Sequence, residues 1–400
     1  SPNFVSGAYS VAWDGTLVYA AGEQQTVTVI VVLDGYGAEV DRIEFDNSSV
    51  QDPNLSSDGR YLAYASWPTD GDSPPDVWIM DLDGANARPV TTESFRLLNN
   101  PAWSPDGRFV VARKHFTSTR SLGAGEMWLY SVAGGKGVRM NKAPTKQKDL
   151  GEPAFSPDGR YVYFSQDTTP GMFFEYSKDS NGIIYRIKRL DTESGDIINF
   201  VQDSGGSVRP TPSPDGNWLA FVRRIRNQSS LFIKDLNTGA ERMVFDGMER
   251  DMQETWAIHG VYPNMDWTPD SKSIVFWAQG KIHRWSMDSG KVEVIPFSVN
   301  HSREVADAVR FDYPVFQETE RTRMLRWVQV TPDKSKVVYQ TLGHIYVRDL
   351  TTGDITQLTR GDESQAFYPN ISSDGNSITY VSWNDQTLGK IKTISIKGGN

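Results

Sequence analysis

The sequence predicts an all-β fold, an eight-bladed β-propeller of four-stranded antiparallel blades, from a recurring acidic turn, the strands around each copy and the spacing between copies. Anchored on its acidic residue, the turn falls at Asp14, Asp58, Asp106, Asp158, Asp215, Asp270, Asp333 and Asp374, with separations of 44, 48, 52, 57, 55, 63 and 41 residues. A propeller blade takes about 40 to 50 residues, so the longer separations carry loop insertions. In Ser104-Pro105-Asp106-Gly107 and Ser156-Pro157-Asp158-Gly159 the proline presets the first φ of the turn. The aspartate can accept a backbone N–H, and the glycine tolerates positive φ. The copies at Asp14, Asp58, Asp270, Asp333 and Asp374 are degraded, yet the apolar strands beside them keep the register.

Each turn is followed by an apolar strand such as Tyr161-Val162-Tyr163-Phe164, a further one such as Leu231-Phe232-Ile233, a glycine-containing hairpin and an outer strand. A blade therefore reads A, B, C, D. Its β-branched and aromatic runs are continuous rather than alternating, which fits strands covered on both faces by neighbouring blades. The blades fall at roughly 8–46, 52–93, 99–141, 152–202, 208–246, 262–297, 326–359 and 366–397, within one domain spanning 1–400. The last repeat stops after three strands. Residues 1–7, with Phe4 and Val5, are expected to supply the fourth, close the ring and remove an unpaired edge.

Composition narrows the function. A net charge of -9 gives no basic field for phosphate backbones, so nucleic acid is not an expected partner. With no cysteine there are no disulfides, thiolate metal sites or thiol nucleophiles. No apolar run approaches the roughly 20 residues of a membrane-spanning helix. Residues 1–20 lack the basic start and apolar stretch of a signal peptide. The expectation is a monomer without a membrane span. No Gly-x-Ser-x-Gly elbow, P-loop or dinucleotide-binding glycine pattern occurs.

The repeats resemble PD40, or TolB-like, propeller repeats over nearly the whole chain, and residues 98–385 are similar to the propeller half of TolB-like amidohydrolases. The runs from Ala112 to Glu126 (ARKHFTSTRSLGAGE) and from Arg250 to Gly260 (RDMQETWAIHG) carry that likeness. Residues 6–22 look more like PD40 repeats of other multidomain proteins. The resemblance implies a periplasmic or secreted protein. In the amidohydrolases a metal-dependent barrel follows the propeller; the chain ends before one, and the paired histidines of that barrel have no counterpart, so catalysis is not carried over. A non-catalytic binding or interaction module is expected.

Strand order places A-to-B and C-to-D turns on one face of the disc, and B-to-C and D-to-A connections on the other. The insertions 114–125 and 167–182 are read as B-to-C, 246–262 and 297–325 as D-to-A, so all four decorate one face. At the channel mouth there, Asp52, Asn100, Glu152, Arg209, Asn264 and Tyr368 precede the inner strands. With Lys114, His115, Arg120, Arg250, Glu254, Trp256 and His259 they offer donors, acceptors and an aromatic wall to a small polar ligand or a protein domain. The same groups also suit channel hydration and loop-tying ion pairs.

Some TolB-like propellers are lyases with a metal on channel histidines. The resemblance therefore leaves as the alternative a metal-dependent hydrolase or lyase acting in the central channel, with zinc or manganese on His115, His259 and His301. No close histidine pair supports it. His344 begins a C strand near the decorated face, and His283 inside another C strand reads as structural. Asp70-Gly71-Asp72-Ser73 with Asp76 lacks the spacing of a calcium loop and reads as a solvated acidic hairpin. Arg223, Arg224 and Arg226 could hold a carboxylate or phosphate, or pair with Glu249, Asp251 or Glu254. Trp103 and Trp267 share one position before the turn and read as packing between blades, whereas Trp256 and Trp383 suit exposed contacts.

Overall fold

A computed structural model describes residues 9–11, 17–21, 27–46, 48–68, 76–92, 97–116, 124–142, 144–145, 147–173, 183–249, 251, 253, 264–298, 322–361 and 364–398. Phe4, Val5 and the turn at Asp14 lie outside them. Among the described residues are seven four-stranded antiparallel sheets and one three-stranded sheet, each with strands in sequence order. The second sheet, for example, runs through Ser48–Leu55, Tyr61–Pro68, Asp76–Asp81 and Arg88–Pro89. No described helix is long and apolar enough to cross a membrane.

The inner turns form as one motif. Ser104 Oγ donates to Asp106 Oδ1 (2.6 Å), the Arg108 N–H donates to the same oxygen (3.0 Å), and the Phe109 N–H donates to Ser104 Oγ (3.0 Å). Threonine replaces serine without loss: Thr268 Oγ1 donates to Asp270 at 2.7 Å and Thr331 Oγ1 to Asp333 at 2.6 Å. Gly107 has φ +68°, and where the glycine is lost Ser271 and Lys334, both at φ +58°, adopt the same left-handed backbone. A hydroxyl two residues before the aspartate holds the turn together in the degraded copies at Asp58, Asp270, Asp333 and Asp374.

The chain divides into two compact units, Ser1–Arg303 and Glu304–Asn400. In the first, each pair of successive sheets shares an apolar core: Ile30, Val32 and Leu62 between sheets one and two, Ala63 and Val110 between two and three, Val111 and Phe164 between three and four. Tyr163 and Phe221 join four to five, and Val222 and Phe276 join five to six. The sixth sheet then packs on the first, through Val275, Ile282 and Ile295 against Val31 and Leu33. The innermost strands Tyr9–Val11 and Met265–Trp267 lie side by side there, and Arg284 Nη2 donates to the Gly35 carbonyl at 2.7 Å. Gly37, at φ +91°, passes so close to the seam that a Cβ would fall 1.7 Å from the Pro296 oxygen.

The expectation was one eight-bladed domain over 1–400; the first unit holds six of the eight sheets and the second holds two. Six sheets close on themselves, because the third strand of the first sheet buries Ile30 and Val32 on one face and Val31 and Leu33 on the other. The boundary between the units falls within the insertion 297–325.

The second unit contains the seventh sheet (Arg326–Val330, Lys336–Thr341, His344–Asp349, Ile355–Gln357) and the three-stranded eighth (Gln365–Ile371, Ser377–Asn384, Leu388–Ser395). They share a core of Val338, Ile345, Val347, Ala366 and Ile378.

Candidate functional site

Four inner strands of the ring carry the same distortion. Asp52, Asn100, Glu152 and Arg209 have φ between 48° and 59°, each precedes a proline, and each sits at a break in the register with the next strand. A left-handed non-glycine residue costs about 1–3 kcal/mol, and a bulge of this kind re-aims its side chain. Here the side chains meet across the sheets. Asp52 Oδ2 accepts from the Asn100 main-chain N–H (3.0 Å) and from Asn100 Nδ2 (3.1 Å). Glu152 Oε2 accepts from the Arg209 N–H (2.8 Å) and Ser165 Oγ (2.6 Å). Glu152 Oε1 lies 2.9 Å from Arg209 Nε, off the hydrogen-bonding direction, and Arg209 Nη1 donates to Asn264 Oδ1 at 2.5 Å.

These five residues, with Asp266, line an axial cavity of about 190 Å³. It runs along Pro53, Pro101, Pro153 and Pro210 toward the turns at Ser56, Ser104, Pro157 and Pro214. At ~30 Å³ per water it accepts a side chain or small ligand, not a folded domain. Burial pushes the Glu152 carboxyl above the ordinary carboxylate range. The Arg209 charge, Ser165 and the Arg209 N–H act against that, and the negative charge of Asp52 adds to it.

The polar ring was expected at the channel mouth; Asp52, Asn100, Glu152 and Arg209 line the cavity and are each 5–8% exposed. Tyr368 belongs to the second unit, where it packs on Trp327 with ring centroids 4.3 Å apart. Lys114 and His115 were expected on a binding loop; the strand Phe109–Phe116 runs through both, and both are buried. The Lys114 ammonium lies 4.4 Å from the centroid of Trp128. Arg120, Arg250, Glu254, Trp256, His259 and His301 lie outside the described residues. Among the described residues no group of three or more His, Asp or Glu side chains is placed to hold a metal.

The arginine cluster makes internal pairs, Arg224 with Asp251 (3.3 Å) as one expected partner, and Arg223 with Glu241 (2.7 Å). His283 stacks on Phe276, and the Trp103 and Trp267 indoles donate to the carbonyls of Asn54 (3.0 Å) and Thr211 (2.9 Å), all packing roles. Sequence reasoning missed Arg113, which is 1% exposed. It pairs with Asp149 and donates to the Leu150 carbonyl (3.0 Å) and to Asn99 Oδ1 (3.0 Å). Space for it exists only because Gly125 and Gly151 lack side chains; a Cβ there would fall 2.6 Å from Asp149 Oδ1 and 2.8 Å from Arg113 Cδ.

The closed ring of repeats and the axial cavity define a TolB-like β-propeller, and the chain is a distant relative of TolB proteins and of peptidases. The Tol-Pal system protein TolB of Francisella tularensis subsp. mediasiatica is 23% identical over 324 residues, covering 80% of this chain and 54% of that protein. The uncharacterized peptidase YuxL of Bacillus subtilis is 26% identical over 199 residues, 43% of this chain and 29% of that protein. The crystal structure of TolB from Acinetobacter baumannii shares the fold with a TM-score of 0.54 at 18% identity, covering 70% of this chain and 63% of that one. The matches thus span less than two thirds of each of these relatives. No protein-family model matches the chain.

Proposed function

We propose that this chain is a non-catalytic binding module that receives a segment of a partner protein at its axial channel, at the end carrying the long connections. The observation that supports this most is the polar lattice of Asp52, Asn100, Glu152, Arg209 and Asn264 around a cavity of side-chain size. A rigid frame with its donors and acceptors already oriented loses little entropy on binding. The TolB relative bears the name of a Tol-Pal system, which agrees with a role among protein partners. The resemblance to the propeller half of amidohydrolases extends the reading to a neighbouring catalytic domain as the partner, and to a periplasmic or secreted location.

A library of random peptides displayed against the chain tests the reading. Peptides should be selected whose affinity falls at least tenfold in the triple variant Arg120→Ala, Arg250→Ala, Trp256→Ala, with the melting temperature unchanged. Recovery of no binder, or of binders indifferent to all three changes, overturns it.

A further inference from the structure

We infer that the ring end of the axial cavity is a receptor for a primary ammonium group, the tip of a lysine side chain or an N-terminal amine. The inference rests on the channel-binding reading and gives its ligand a chemistry.

Asp52 is 8% exposed and, among the described residues, has no cationic partner; its bonds come from Asn100 alone, both on Oδ2. Next to it Asn100, 7% exposed, carries a buried Oδ1 with no hydrogen-bond donor. Both residues line the cavity, so an anion and a neutral acceptor are left wanting donors at one place. Elsewhere in the ring the charge at the same position is paired, since Glu152 Oε1 lies 2.9 Å from Arg209 Nε and Arg209 Nη1 donates to Asn264 Oδ1. Asp266 adds a further carboxylate to the wall, so the lining carries three acidic residues against one arginine. A buried carboxylate without a counter-ion is unfavourable, and a bound cation relieves it.

The donor set selects the cation. One carboxylate with one amide oxygen does not make a divalent metal site, which needs several anionic or imidazole ligands, and the described residues hold no such group. Guanidinium seeks both oxygens of a carboxylate in its fork, whereas Oδ2 of Asp52 already accepts two N–H bonds. An ammonium is a compact charge with three donors that can serve Asp52 Oδ1 and Asn100 Oδ1 together. The cavity of about 190 Å³ admits the aliphatic stem behind it.

The probe is Nα-acetyl-lysine amide, titrated into the full chain by calorimetry beside its Nζ-acetylated twin. The free amine should bind and the twin should not. Asp52→Asn, which keeps an acceptor for the Asn100 N–H, should weaken binding at least tenfold and raise the melting temperature of the empty protein. Asn100→Gly, which tolerates the left-handed backbone while removing Oδ1, should weaken binding severalfold. Equal binding of the twins, affinity unchanged in Asp52→Asn, or calcium binding that excludes the amine overturns the inference. Selected peptides that bind Asp52→Asn as well as the parent sink this inference and leave the module reading standing. An amine that binds while no peptide is selected does the reverse.

Discussion

Arg209 and Tyr368 occupy the same left-handed place in the inner strands of the fifth and eighth sheets, yet Arg209 is 8% exposed and Tyr368 60%. One residue further on, Pro210 is buried, and its counterpart in the seventh sheet, Val328, is 53% exposed. The turns are alike too, with a hydroxyl, an aspartate and a left-handed residue in both units. The local code is therefore the same in both. Among the described residues, each sheet of the first unit shares apolar cores with two others, whereas the two sheets of the second unit share one core. Strand sequence sets the blade, and closure sets its burial.

Substitutions can break this contrast. Phe276→Ala, at a fully buried side chain between the fifth and sixth sheets, should cost about 3–5 kcal/mol in a urea melt. Val330→Ala in the second unit, 54% exposed, should stay within about 0.5 kcal/mol. Similar losses at the two sites would show that the units do not differ in packing. Asp149→Ala strands the buried Arg113 charge and should cost about 3–5 kcal/mol, while replacing both partners by leucine should recover most of it. Gly37→Ala drives a methyl into the Pro296 carbonyl and should cost about 2–3 kcal/mol; a melt like the parent's would mean that the seam is not tight there. Lys334→Gly relieves a left-handed lysine on an exposed turn and should gain up to about 1 kcal/mol, read as a rise in the melting temperature.

Acid gives a graded comparison. Hydrogen bonds from Thr331 and the Ser335 N–H hold the Asp333 carboxyl at about 2, and those from Ser372 and the Asn376 N–H hold Asp374 likewise at about 2, against an ordinary 3.8. A depressed folded value means stability that is present above about pH 4 and lost as pH falls toward 2. Asp333→Asn should flatten that decline in a pH series of thermal melts. An unchanged slope would remove this carboxyl from the account.

Much of this was legible. The acidic turn marked each described repeat, and the continuous run Val27 to Leu33 announced a strand covered on both faces. The contact of the sixth sheet with the first was not legible, because Val275, Ile282 and Ile295, which pack on Val31 and Leu33, look like the apolar residues of any other interface. Asp52, Asn100, Glu152, Arg209 and Asn264 were grouped from their place at the start of the inner strands, and they line one cavity. Their pairing was hidden, since it joins side chains 48 to 57 residues apart through bulges that turn them sideways. Lys114 and His115 were misplaced because polar residues at a strand end read as loop until the pairing of Phe116 with Ala124 is known.

The seam between the first and sixth sheets also sets a clock. Gly35 and Arg284, bonded across it, are separated by 249 positions. At roughly 5 to 20 residues per second of synthesis, Val31 and Leu33 would wait on the order of 12 to 50 s for their partners to emerge from the ribosome. Through that interval the earliest part of the ring is a sticky nascent surface, and chaperone demand during translation should peak just before residue 295 appears.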